Sequence, residues 1–193
     1  MGHQEHRAEG PRQVRIYVIT ASDTRGPAED ASGSWLCRAV KDAGHLLAGY
    51  QVVRDEPEAI RAALAGAATA GAQVVVANGG TGVARRDRTY EAVAGLLEKR
   101  LDGFGELFRM LSWEEVGSAA MLSRAVAGIW QGRAVFSVPG STGAVRLAWE
   151  KLIAPELAHL VRELTKDDSG IGDHDCHPSA RAAEPGDQGG GPE

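Results

Sequence analysis

The feature that most constrains this chain is a repeated junction, in which a short apolar run stops abruptly in small, hydroxyl-bearing residues. Residues 14–20 (VRIYVIT) lead into Ala21-Ser22-Asp23-Thr24. Residues 73–77 (QVVVA) lead into Asn78-Gly79-Gly80-Thr81-Gly82, and residues 134–138 (AVFSV) into Pro139-Gly140-Ser141-Thr142-Gly143. Short β-branched runs bounded by such turn residues read as strands, and residues 50–53 add another. The text between them has helical spacing. Residues 34–43 place Trp35, Ala39 and Val40 toward a core, with Gly44 as a stop. Asp55 and Glu58 read as a capping pair opening a helix to about residue 68. Residues 90–100 read as helical, and Ser112 with Glu115 reads as a second capping box ahead of a helix over 119–127. Residues 145–164 close the domain as a long helical region, with Pro155 marking a new first turn.

Strands alternating with helices of this length predict βαβ units and therefore an α/β fold in three layers, a mostly parallel sheet with helices on both faces. The domain is expected over residues 14–165. Residues 1–13 read as a flexible arm. Residues 166–193, rich in Gly, Asp, Pro and Ala and ending in GDQGGGPE, bury too little to order themselves and read as a disordered tail.

In such a fold, ligands gather at the carboxyl ends of the strands. Glycines there let the backbone approach a phosphate, while hydroxyls and free N–H groups donate to it. A single glycine turn is equally explained as a tight connection; three at strand ends point to a shared anion site. No G-x-x-x-x-G-K-[ST] occurs, which excludes a P-loop enzyme; the lack of G-x-G-x-x-G after the first strand disfavours a Rossmann-type dinucleotide site, and the lack of a G-x-S-x-G elbow argues against an α/β-hydrolase. Just past the second turn, Arg85-Arg86-Asp87-Arg88 offers guanidinium groups for phosphate oxygens and a carboxylate for magnesium. Asp87 is also open to a reading as a residue flanking a helix start at Thr89, and Asp55 to a reading as a helix cap.

A formal net charge of −5 gives no basic footprint for nucleic acid. No apolar run is long enough to span a bilayer, and the first residues lack a signal-peptide core, so a cytoplasmic protein without membrane or nucleic-acid partners is expected. The two cysteines, Cys37 and Cys176, lie in a helix and in the tail, which disfavours a structural disulfide. Asp173-His174-Asp175-Cys176-His177 holds metal-ligand types, but a tail is a poor preformed site. Leu107, Phe108, Leu111 and Trp113 are expected to pack in the core, with a subunit interface as the alternative.

Taken together, Ser22-Asp23-Thr24-Arg25, Asp30-Ala31-Ser32-Gly33, Asn78 to Gly82 with Arg86-Asp87 and Thr89, Gly103-Phe104-Gly105-Glu106, Leu122-Ser123-Arg124-Ala125 and Pro139-Gly140-Ser141 closely resemble the MoaB/MogA family of molybdenum cofactor biosynthesis proteins. The resemblance runs over residues 14 to 165 and is nearer the B branch. It implies a MogA-like molybdopterin-binding fold, usually a homo-oligomer (trimer or hexamer). It implies adenylylation of molybdopterin, in which AMP passes from ATP to the terminal phosphate of the pterin with Mg2+, and pyrophosphate leaves. A molybdate-inserting partner then takes the product. By resemblance, Asp55 and Asp87 fall on the family's essential aspartates, read as catalytic and magnesium-organising. Ser22, Asp23, Thr24, Gly79, Gly80, Thr81, Gly82, Glu106, Ser123, Pro139, Gly140 and Ser141 fall on substrate-binding positions. The alternative is a member that binds or helps assemble the pterin without adenylylating it.

Overall fold

The structure, a computed structural model, describes residues 11–166. Strand β1 (Arg15–Ala21) is followed by helix α1 (Ala31–Asp42), β2 (Leu46–Val53), α2 (Pro57–Thr69) and β3 (Val74–Asn78). Then come a short α3 (Thr89–Ala94), a two-residue β4 (Lys99–Arg100), α4 (Asp102–Val116) and a 3-10 turn (Gly117–Leu122). Strands β5 (Val126–Trp130) and β6 (Arg133–Val138) lead to α5 (Thr142–Ala148), a π-helical segment (Trp149–Ile153) and α6 (Ala154–Thr165). The tail, with Cys176 and the metal-ligand types expected there, lies outside the described residues, as does most of the N-terminal arm.

The sheet order is β2-β1-β3-β6-β5-β4. Strands β2, β1, β3 and β6 run parallel, and β5 and β4 add an antiparallel edge. The reversal at that edge has a local cause. Gln131 (φ 48°) and Gly132 (φ 70°) are both left-handed, the requirement of a two-residue hairpin, so β5 folds directly back onto β6.

Helices cover both faces, as the alternating pattern predicts. On one, Val18, Val76 and Phe136 meet Leu36 and Val40 of α1, Phe108 of α4 and Leu157 and Val161 of α6. On the other, Ile19, Val75 and Val135 meet Ile60 and Leu64 of α2 and Val93 of α3. Each central strand thus buries both sides, which is why its sequence is continuously apolar.

Several local expectations need correction. Helix α1 begins at Ala31 because Asp30 caps it, its carboxylate accepting from Gly33 N at 2.9 Å. Within it, Leu36 and Val40 are buried while Trp35 is only half-buried. Strand β2 is longer than residues 50–53. Asp55 does not cap α2, whose N-terminus is set by Pro57 after Glu56. The helix over 90–100 stops at Gly95, and Lys99–Arg100 pairs with β5. Ser112 opens no helix: it lies inside α4, and its hydroxyl donates to Phe108 O at 2.7 Å. Gly117 (φ 61°) ends that helix, and residues 119–127 become a 3-10 turn and a strand. Pro155 does occupy the first turn of α6, after a π-helical widening. Phe108 is buried, but Leu107 and Trp113 of the expected core set are 47% and 62% exposed.

Candidate functional site

Strands β1, β3 and β6 are immediate neighbours, so their carboxyl-terminal turns meet. They meet through main chain. Gly79 N donates to Val138 O at 3.1 Å, joining the second turn to β6, while Ser22 N donates to Val53 O at 2.8 Å and ties the first turn to the end of β2. Gly79 has φ +94°, and a Cβ there would stand 2.2 Å from Ala21 O. A Cβ on Gly140 would stand 2.9 Å from the Gly79 Cα. Three turns are packed backbone against backbone because no side chain fits between them. Above this floor opens a cleft of about 400 Å³, within the range of small-ligand sites.

Three carboxylates line the cleft, Asp23, Asp55 and Asp87. Asp55, 7% exposed, follows β2, and its Oδ1 accepts from Thr89 Oγ1 at 2.8 Å and from Arg88 N at 3.2 Å. Those bonds fasten the start of α3, so Asp55 braces the helix after the second turn rather than the helix after itself. Its Oδ2 accepts no hydrogen bond from the described residues, and a Cβ on Gly80 would fall 2.3 Å from it. Asp87 accepts from Ala84 N through Oδ2 at 3.0 Å, which leaves Oδ1 without a hydrogen bond among the described residues. A Cβ on Gly82 would come within 2.4 Å of Asp87 Oδ2. Asp55 and Asp87 are therefore each seated on a glycine, with one oxygen anchored and one available. Magnesium is commonly held by one or two carboxylates together with substrate phosphates and water, and this donor set fits it. No cluster of three or more metal-ligating side chains occurs among the described residues.

Beneath the floor lies a buried polar network. Asn78, fully buried, donates to Ile19 O at 3.1 Å and to Thr20 Oγ1 at 2.9 Å, and accepts from Ser32 Oγ at 3.0 Å. Ser32 is shared with Asp30, whose other oxygen accepts from Tyr50 Oη at 2.6 Å. Burial pushes the Asp30 carboxyl up, but the bonds from Thr20, Tyr50, Gly33 N and Ser32 outweigh it and hold it below its ordinary value of 3.8. Such a group stabilises the fold fully above its ordinary value and ceases to do so as the pH falls through the lowered one. Tyr50→Phe is expected to cost about 1.5–3 kcal/mol at neutral pH. The difference from wild type should shrink below pH 3.8, as Asp30 protonates; chemical denaturation at a series of pH values measures this.

The structure brings Ser22, Asp23, Thr24, Asp55, Gly79, Gly80, Thr81, Gly82, Asp87, Ser123, Pro139 and Gly140 to one cleft. Their parts differ. Ser22 Oγ accepts from Thr24 N at 3.4 Å and Arg25 N at 3.1 Å, and Asp23 Oδ1 accepts from Asp55 N at 3.1 Å. Ser141 lies just outside, capping α5 through Ala144 N at 3.3 Å. Glu106 is not brought in: it is exposed on α4, beside a separate hollow with Tyr90, Arg100 and Arg109. Arg25 and Arg86 complete the wall with Ala119 and Leu122. Arg25 follows the Ser22-Asp23-Thr24 turn directly and lies in the segment that carries the family resemblance, though no site role was read for it there. Leu122 lies in another segment that carries the resemblance, without a role read for it, and Ala119 gave no signal, since the 3-10 turn that carries them reads as helix.

An open, mostly parallel α/β sheet with a glycine-floored cleft at the ends of adjacent strands, lined by Asp23, Asp55 and Asp87, defines an α/β domain of the class that takes a small ligand at its strand ends. Residues 17–159 match the family described as "Probable molybdopterin binding domain". Molybdenum cofactor biosynthesis protein B of Bacillus subtilis (strain 168) is 54% identical over 169 residues, covering 86% of this chain and 99% of that protein. A crystal structure of a molybdenum cofactor biosynthesis protein B superposes with a TM-score of 0.77 at 51% identity, over 81% of this chain and 98% of the other. The tungsten cofactor synthesizing protein MoaB of Pyrococcus furiosus superposes with a TM-score of 0.73 at 42% identity, over 80% and 98%. The chain belongs to this molybdopterin-binding family of molybdenum cofactor biosynthesis proteins, among relatives of the B branch.

Proposed function

We propose that the chain is a molybdopterin adenylyltransferase acting in molybdenum cofactor biosynthesis. A terminal phosphate oxygen of molybdopterin attacks the α-phosphorus of ATP, the bond to the β-phosphate oxygen breaks, and pyrophosphate leaves. The observation that carries this reading is the meeting of three backbone-lined turns and two half-anchored carboxylates around one cleft. A phosphate monoester has a second pKa of about 6, so the attacking oxygen is already anionic at neutral pH and needs no general base. The work left to the protein is to hold two polyanions together in line. Main-chain N–H groups of the turns, with Arg25 and Arg86, suit the phosphates. Asp55 and Asp87 would hold Mg2+, which when bound neutralises phosphate charge. No helix among the described residues is long and apolar enough to cross a membrane.

The test is AMP transfer by the purified protein, given molybdopterin, Mg2+ and α-labelled ATP. Labelled pterin formed with Mg2+ and abolished by a chelator supports the assignment. Pterin bound without any transfer, whatever the divalent metal, would leave a binding or assembly role in its place.

The same reading includes self-association. Leu107, Met110, Trp113 and Val116 are 47–62% exposed at three-residue spacing along α4, and Met121 beyond them is 78% exposed. We read these exposed apolar side chains as the contact between subunits, since exposed apolar patches mark association sites. Met110→Glu with Trp113→Glu is expected to convert a trimer or hexamer to monomer in sedimentation velocity, with helical content unchanged. An unaltered mass for the double variant would move the interface elsewhere.

A further inference from the structure

Arg124, half-buried between the 3-10 turn and β5, makes more specific contacts than any other cation near the cleft without lining the cleft itself. Its Nε donates to Thr81 O at 2.9 Å and its Nη2 to Gly82 O at 2.5 Å. Its Nη1 pairs with Glu91 Oε1, its Nη2 also reaches Glu91 Oε2 at 3.4 Å, and its guanidinium lies 4.9 Å from the Tyr90 ring centre. Thus one planar fork grips two consecutive carbonyls of the second turn and a carboxylate of α3.

Those contacts close a circuit. Gly82 is the residue on which Asp87 is seated. Thr89, at the start of α3, is held by the Asp55 carboxylate and donates its own N–H to Gly80 O at 3.0 Å. Glu91 is two residues further along that helix. Burial would raise the Glu91 carboxyl, and the bonds from Arg124 bring it below its ordinary value, so the pair is ionised at neutral pH. Loop 81–88, which carries Asp87, is otherwise exposed along Val83, Ala84, Arg85 and Arg86. Its hydrogen bonds at Asp87, to and from Ala84, lie within the loop itself. Arg124 is the side chain that ties its first residues to the body of the domain.

We infer that Arg124, clamped by Glu91, is a positioning residue that fixes the Thr81–Gly82 carbonyls and thereby sets the geometry of the loop presenting Asp87 to the phosphates. The inference rests on the proposed adenylyl transfer for its kinetic consequence, but its structural half stands apart from it. Lysine cannot replace this group, because a single ammonium does not span two carbonyls and a carboxylate in one plane.

The test compares Arg124→Gln, Arg124→Lys and Glu91→Gln in the full chain. Hydrogen–deuterium exchange reads the loop irrespective of activity. Segment 81–88 should exchange about tenfold faster in both Arg124 variants, while α2 and β3 stay as in wild type. In AMP transfer, kcat should fall about ten- to a hundredfold with KM for molybdopterin changed less than about threefold, because placement and not affinity is lost. Glu91→Gln should show the same signature more weakly, and adding it to Arg124→Gln should cost little more, since the two act as one unit. Unchanged exchange over 81–88 in Arg124→Gln overturns the clamp, and faster exchange with an unaltered kcat overturns its role in positioning Asp87. If the wild type transfers no AMP, the exchange result alone decides the clamp, and the adenylyltransferase reading falls separately.

Discussion

Replacing Gly79 with alanine is expected to remove the site and much of the stability together. At φ +94° an L-residue is strained by about 1–3 kcal/mol before any contact is considered. The new methyl would also stand 2.2 Å from Ala21 O, and that carbonyl belongs to the end of a central strand. Neither group can rotate away, so β1 and β3 must separate where their turns meet. The expected loss is about 3 kcal/mol or more of unfolding free energy, with molybdopterin binding undetectable by calorimetry even where the variant remains folded. Gly66→Ala, at a helical glycine with open space around its Cβ position, is the control and should be neutral or slightly stabilising. Wild-type affinity in Gly79→Ala would show that the floor of the cleft is not the binding surface.

The second large effect is expected from the two carboxylates, and they should not behave alike. Asp87→Asn keeps an acceptor for Ala84 N and alters little of the fold, yet it removes the charge that suits a divalent cation. Transfer should fall about a hundredfold or more, as when a preorganised electrostatic group is removed, with thermal stability within a degree or two of wild type. Asp55→Asn removes the same charge and also weakens an acceptor used by Thr89 Oγ1 and Arg88 N. It should lose transfer to a similar degree and destabilise by about 1.5–3 kcal/mol, the range for hydrogen bonds to a charged group. Calorimetric melts beside single-turnover assays separate the two. If both variants kept near wild-type rates with Mg2+ present, the acidic pair would have no part in the reaction.

How much of this was legible in the sequence depended on whether the signal was local. The three strand-to-turn junctions read correctly because β-branched runs and glycines state their own backbone needs. The layered α/β arrangement follows from them. What failed were end signals with two meanings. Ser112 and Glu115 match a capping box, but α4 was already under way from Asp102 and carries them as ordinary helical residues. Asp55 sits where a cap would sit, yet its partners are 33 and 34 residues away, at Arg88 and Thr89, and no local spacing announces that. The edge strands β4 and β5 were missed because Gly95 went unread as a helix stop and the Gln131-Gly132 hairpin as a turn. Asp30 shows both cases: its cap to Gly33 N is local and lay within a quoted motif, but its place in the buried network needs Tyr50 brought alongside by the sheet, and Asn78 joined to it through Ser32.

The backbone-on-backbone packing of Ala21, Gly79 and Gly140 has one further implication, for how a site of this kind can diversify. A floor drawn in peptide groups offers selection no side chain to exchange, so it stays fixed while the fold persists. Any change in which phosphorylated ligand is preferred is therefore confined to the rim, where Arg25, Arg86, Ala119 and Leu122 present replaceable side chains. An engineer seeking altered preference should randomise those four positions and leave the three turns untouched.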